Sequence, residues 1–131
     1  MTDEQWANVR YFTKSEFACH CGCGISNPSY KLVLKLDRAR GRAGIPFSIN
    51  SGSRCHQYNA SRDVGGVDSS SHTATEEQES HAADIGATTS RARNKTQAAL
   101  IEEGFNRFGL HDLFIHTDID PGKDAHVTWL Y

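Results

Sequence analysis

Two stretches of this chain concentrate side chains that could hold a metal. "SSSHTATEEQESHAADIG", residues 69–86, offers His72, His81 and Asp84, and "LFIHTDID", residues 113–120, offers His116 and Asp118. Side chains alternate along a strand, so His116 and Asp118 share one face about 7 Å apart, with Phe114 beside them. Leu113, Ile115, Thr117 and Ile119 form the opposite, more apolar face. A catalytic zinc takes three protein ligands and keeps one position open. His72, Asp84 and His116 would supply two neutral imidazoles and one carboxylate, a net +1 centre that draws the pKa of water towards about 7.

Arg54 in "NSGSRCHQYN" is the second chemical signal. A guanidinium just after a Ser-Gly turn can grip a carboxylate bidentately or stabilise an oxyanion. No H-E-x-x-H helix is present, nor G-x-S-x-G, a P-loop or a dinucleotide fingerprint. The four cysteines are Cys19, Cys21 and Cys23 of "CHCGC", and Cys55. Cysteines two apart rarely bridge each other. Three readings stay open for them: free thiols in a Gly-containing turn, a structural zinc on three or four sulfurs, and one long-range disulfide from Cys55. The C-x-C-x-C spacing is shorter than that of common zinc motifs.

These side chains need elements to position them. "FTKSEF" reads as a helical turn opened by Thr13 with Glu16 as its capping partner. "SNPSYKLVLKLDRARGRAG" reads as a helix capped by Asn27, with Pro28 first, Leu32, Leu36 and Ala39 on one face, and Gly41 or Gly44 at its end. "PFSINS" alternates as a half-buried strand. Residues 51–89 read as one long loop-rich stretch, which in a compact domain is usually functional. A second helix follows from about Ser90 to Glu103. "FNRFGL", "LFIHTDID" and "AHVTWLY" read as strands, with "DPGKD" as a turn. The expected fold is α+β: a small antiparallel sheet backed by helices, with a zinc site in a cleft on the sheet, in one domain spanning 1–131.

Composition narrows the function. At 131 residues and a formal net charge of −2, the chain has no general electrostatic grip on nucleic acid or anionic membrane. That argues against a nucleic-acid module built on "CHCGC". No apolar run reaches the roughly 20 residues of a membrane span. "MTDEQWANVRYF" lacks the basic and apolar regions of a secretory signal, so synthesis in the cytoplasm is expected.

In order along the chain, "FTKSEFACHCGCG", "SGSRCHQYNA" followed by "GGV", "SSSH" with "HAADI", and "GFNRFGLHDLFIHTDID" resemble one family. It is the zinc D-Ala-D-Ala carboxypeptidase-type peptidoglycan peptidases, which include phage endolysins and resistance dipeptidases and share a fold with the zinc domain of hedgehog proteins. The resemblance implies Zn²⁺ on His72, Asp84 and His116, Arg54 as the substrate-orienting or oxyanion-stabilising arginine, and Ser71 as a substrate contact. His72 and Asp84 stand twelve apart, further than the family's spacing. The extra residues fall near "TEEQE", Ser80 replaces the motif's Gly, and His81 becomes a rival first ligand. An insertion in a surface loop costs little. Leu113 and Phe114 occupy positions where many relatives carry an acid or histidine, so Asp118 is the expected general base, with Asp112, Glu77 and Glu79 in reserve. An alternative makes Asp118 the third ligand and His116 its catalytic neighbour.

The function so implied is zinc-dependent hydrolysis of a peptidoglycan stem peptide, at D-Ala-D-Ala or L-Ala-D-Glu. The expected protein is a monomeric phage or prophage lysin that reaches the wall through a holin and binds neither nucleic acid nor membrane. The alternative is a non-catalytic, zinc-stabilised peptidoglycan-binding or structural module of the same fold.

Overall fold

Alternation in "FIHTD" sets the layering: Ile115 and Thr117 are fully buried on one side, while His116 and Asp118 face the other. The computed structural model describes residues 1–131. In chain order the elements are α1 (Asp3–Ala7), a 3₁₀ turn (Lys14–Phe17), α2 (Tyr30–Ala43), β1 (Ile49–Ser51), α3 (His56–Asn59), β2 (Ala82–Gly86), α4 (Ser90–Glu102), β3 (Arg107–Leu110), β4 (Phe114–Asp118) and β5 (Val127–Leu130). The strands form one sheet in the order β1-β2-β4-β3-β5. The fold is α+β. The sheet is mixed, because β5 runs parallel to β3 rather than extending the antiparallel meander. Residues 119–126 carry the chain from one end of β4 to the start of β5 beyond β3, which a tight "DPGKD" hairpin would not allow.

Helices α2 and α4 pack on each other and cover one face of the sheet. Leu32, Leu36 and Ala39 line the inner face of α2, as their spacing predicts, and meet Leu100, Ile85 and Ile115 in a core cluster of 15 residues. Each such large side chain contributes about 1.5–3 kcal/mol when fully buried. Gly44, at φ +66, closes α2 in the left-handed conformation that glycine adopts without strain. The cap of α2 is Ser29, whose Oγ accepts from Leu32 N–H at 3.4 Å, and not Asn27. Asn27 donates its side-chain amide to Thr75 O at 2.9 Å, and Pro28 pairs with Ser80. Tertiary partners thus move the helix start two residues along.

β2 lies inside the stretch expected to be loop. "AADIG" has only one β-branched residue, so propensity hides it. Its four buried positions Ala82–Ile85 stand between two neighbours, and that tertiary setting makes it a strand. The short α1 and α3 also escaped the periodicity reading, being too short to show one. No helix is long and apolar enough to cross a membrane.

Candidate metal centre

Asp84 sits at the middle of β2, directly opposite His116 on β4. Facing positions on antiparallel strands bring Cβ atoms to about 4.5–5.5 Å, so two of the three expected ligands are neighbours by register alone. His72 comes from a loop pinned to Arg54: Arg54 N–H donates to His72 O, and Ala74 N–H to Arg54 O, both at 2.8 Å. The three side chains then meet. His72 Nε2 lies 3.2 Å from both Asp84 Oδ1 and His116 Nδ1, and His116 Nδ1 lies 2.9 Å from Asp84 Oδ1. A tetrahedral zinc with ligand bonds near 2.0–2.1 Å has an edge of about 3.3 Å.

The outer partners of the imidazoles say which lone pairs point inward. His72 Nδ1 is 2.8 Å from Gly52 O, a bond that requires its proton there and leaves Nε2 as an acceptor. His116 Nε2 is 2.7 Å from Asp118 Oδ2, which leaves Nδ1 inward. Two imine nitrogens and a carboxylate oxygen, all buried, therefore converge with no donor of their own. Only a proton or a cation reconciles them, and the borderline N₂O donor set suits zinc.

Electrostatics agree. Burial opposes ionisation of Asp84, but the adjacent His72 and His116 outweigh it and hold its pKa well below the usual carboxylate range. Burial pushes the pKa of His72 down, and the neighbouring Asp84 carboxylate partly offsets this. Burial acts the same way on His116, yet its bonds to Asp118 and Asp84 prevail and raise it.

Arg54 bridges the centre to its surroundings. It donates from Nε to Ser51 Oγ (3.0 Å), from one terminal nitrogen to Asn59 Oδ1 (3.2 Å) and from the other to Asp84 Oδ2 (3.3 Å). Three of a guanidinium's five N–H groups are engaged this way. Asp118 is buried, with Oδ2 on His116 and Oδ1 accepting from Arg107 Nε at 2.7 Å. The imidazole of His116 stands between Asp118 and the convergent atoms, so the alternative with Asp118 as third ligand has no geometric basis. Ser71 Oγ donates to Asp120 Oδ2 at 2.7 Å.

His81 does not join the cluster. Its backbone pairs with Ser71 and Ile119, and its buried Nδ1 has no partner. The extra residues form an outward excursion: Thr75 N–H bonds Gln78 O, and Ser80 returns to Asn27 O and to Ser53 Oγ. Glu77 and Glu79 are exposed on that excursion, Asp112 is exposed on the loop before β4, and none of the three lines the cleft over the centre.

That cleft has a volume of about 420 Å³ and contains Arg54, Ser71, the three convergent residues and Asp118. A model of the peptidase M15 family matches residues 10–118. The chain belongs to the peptidase M15 family. No curated protein and no solved structure matched it. Membership implies a metallopeptidase that acts on peptidoglycan, and in this M15 peptidase the matched span carries all three convergent residues together with Arg54 and Asp118.

Sequence reasoning gave no role to several residues that shape the M15 cleft. Asn59 holds Arg54 and also donates to Val67 O at 2.8 Å. Arg107 fixes Asp118 and also bonds Asp124 O. Trp129 of β5 lies over Gly109 with its ring 5.3 Å from that of His116, and the Arg107 guanidinium stacks on it at 5.3 Å. Asn59 and Arg107 do stand in the quoted motifs "SGSRCHQYN" and "GFNR". Trp129 had no signal, because its position depends on the β3–β5 pairing.

Proposed function

We propose that this M15 peptidase hydrolyses a peptide bond in the stem peptide of bacterial peptidoglycan, using zinc held by His72, Asp84 and His116. The observation that carries this reading is the convergence of three buried acceptor atoms in a cleft that also holds Arg54. Zinc bound there would supply a Lewis acid for the scissile carbonyl and a water of lowered pKa. The chain's own residues do the rest. Arg54 keeps one oxygen of Asp84 occupied, so the other faces its partners, and its two remaining N–H groups are free for a substrate carboxylate or a developing oxyanion. Ser71, its proton spent on Asp120, offers an acceptor to a substrate N–H.

Asp118 serves best as a positioning residue. It holds the Nε2 proton of His116, and Arg107 together with His116 outweighs its burial and keeps it ionised. Its Oδ1 accepts from Arg107 and Asp120 and its Oδ2 from His116, which leaves one acceptor site on Oδ2 for the work of a general base. The same observation favours one rival: Asp84 and Asp118 are the only carboxylates lining the cleft. A cleft without a free carboxylate suits a non-catalytic, zinc-stabilised peptidoglycan-binding module.

Digestion of purified peptidoglycan with mass analysis of the released ends tests the two readings. New D-Ala or D-Glu termini name D-Ala-D-Ala or L-Ala-D-Glu as the cleaved bond and fit a lysin acting at the wall. No release by protein carrying its zinc supports the binding module. His72→Ala should lose the zinc of the cleft together with release, and His81→Ala should keep both.

A further inference from the structure

We propose that Cys19, Cys21, Cys23 and Cys55 form a second zinc site, structural in kind and separate from the cleft. The four sulfurs lie within 4.8 Å of one another although Cys55 is distant in sequence from the other three. Cys19 and Cys21 Sγ are 3.5 Å apart, Cys19 and Cys55 Sγ 3.8 Å, and Cys21 and Cys55 Sγ 3.7 Å. A tetrahedron of Zn–S bonds near 2.3 Å has edges of about 3.8 Å. A disulfide would demand about 2.05 Å. Four sulfurs this close repel one another as thiolates unless a cation lies among them, and one zinc would satisfy all four.

The backbone is built for the purpose. Gly22 and Gly24 both adopt left-handed φ, +85 and +86, and so let "CHCGC" curl its alternate cysteines round a common point. This is how a spacing shorter than the common C-x₂₋₄-C motif becomes usable. Two backbone N–H groups aim at sulfur, as they do around metal thiolates: Cys55 N–H to Cys19 Sγ at 3.4 Å, and Tyr58 N–H to Cys55 Sγ at 3.3 Å.

The site has a mechanical consequence. Cys55 follows Arg54, which bonds Asp84, and Gly52 O holds His72. On the other side, Phe17 O accepts from Ser53 N–H at 2.9 Å, two residues before Cys19. A metal tying residues 19–23 to Cys55 fixes segment 52–55, and with it the groups that orient Arg54 and His72. The second site is thus a staple behind the first.

Wild-type protein purified under reducing conditions should bind two zinc ions per chain, one for each ligand cluster. With cobalt in place of zinc, intense sulfur-to-metal charge-transfer absorption should appear and should survive in the double variant His72→Ala/His116→Ala, which keeps one ion. Cys21→Ser/Cys23→Ser should lose that absorption and one ion. Because the first two measurements use intact cysteines, they hold whether or not the serine variant folds. One zinc per chain that vanishes with His72 and His116, no sulfur-to-cobalt absorption, or a mass showing a disulfide in freshly purified chain would each overturn the proposal. Failure of the peptidoglycan digestion would leave it untouched.

Discussion

At the scale of single residues, the centre is governed by which nitrogen of each imidazole carries a proton. Gly52 O and Asp118 take the outer protons of His72 and His116 and turn the inner lone pairs on Asp84's side. Asp118→Asn keeps the shape of this contact but weakens the charge that holds His116. Zinc affinity should fall about 10–100-fold, the usual loss for a partner of a metal ligand, and excess zinc should restore turnover. If instead zinc affinity is unchanged while turnover drops and the acid limb of the pH–rate profile disappears, Asp118 is the general base. Arg54→Ala should lower turnover about 10²–10³-fold, the cost of removing one oxyanion donor. It should also loosen zinc slightly, since Asp84 Oδ2 loses its partner. Near-wild-type hydrolysis by Arg54→Ala would reduce this arginine to a packing role.

At the scale of elements, β3 is a strand whose function depends on having no side chain at one position. Gly109 pairs with His116 on one side and Trp129 on the other. A Cβ there would meet Trp129 Nε1 at 2.5 Å and Tyr131 at 2.8 Å, closer than real Cβ atoms come. The indole can therefore lie over the strand beside His116 only while residue 109 is glycine. Gly109→Ala should displace Trp129, cost about 1–3 kcal/mol by overpacking, and change tryptophan fluorescence. Denaturant titration followed by that fluorescence checks both. An unchanged midpoint and spectrum would mean that β5 shifts at no cost.

At the scale of the whole molecule, the proposed zinc and a proton would compete for one buried site. In metal-free protein the raised pKa of His116 means that its proton stabilises the fold. That contribution is complete below the ordinary imidazole value of about 6.5 and is lost as pH rises through the higher folded value. The proposed zinc would take the same lone pair, so uptake should release this proton, and apparent affinity should fall about tenfold per pH unit below the folded pKa. Calorimetric titration in buffers of different protonation enthalpy measures the release directly. Uptake that releases no proton in this range would show that His116 does not ligate through Nδ1.

Local pattern determined much of this protein: the faces of α2 and β4, the capped 3₁₀ turn, the helix before Gly104, and the residue types of the proposed metal set. These follow from periodicity and side-chain chemistry, which neighbours in sequence already express. What tertiary structure decided is of another kind. The Ala-rich β2 is a strand because two partners flank it, β5 joins β3 in parallel because residues 119–126 carry the chain from β4 across β3, and Asn27 leaves its helix for a partner 48 residues away. Which histidine meets Asp84, which partners Asp118 keeps, and whether four cysteines meet are likewise distances between segments far apart in the chain. Such distances depend on packing of the whole core, and no local window of sequence contains them.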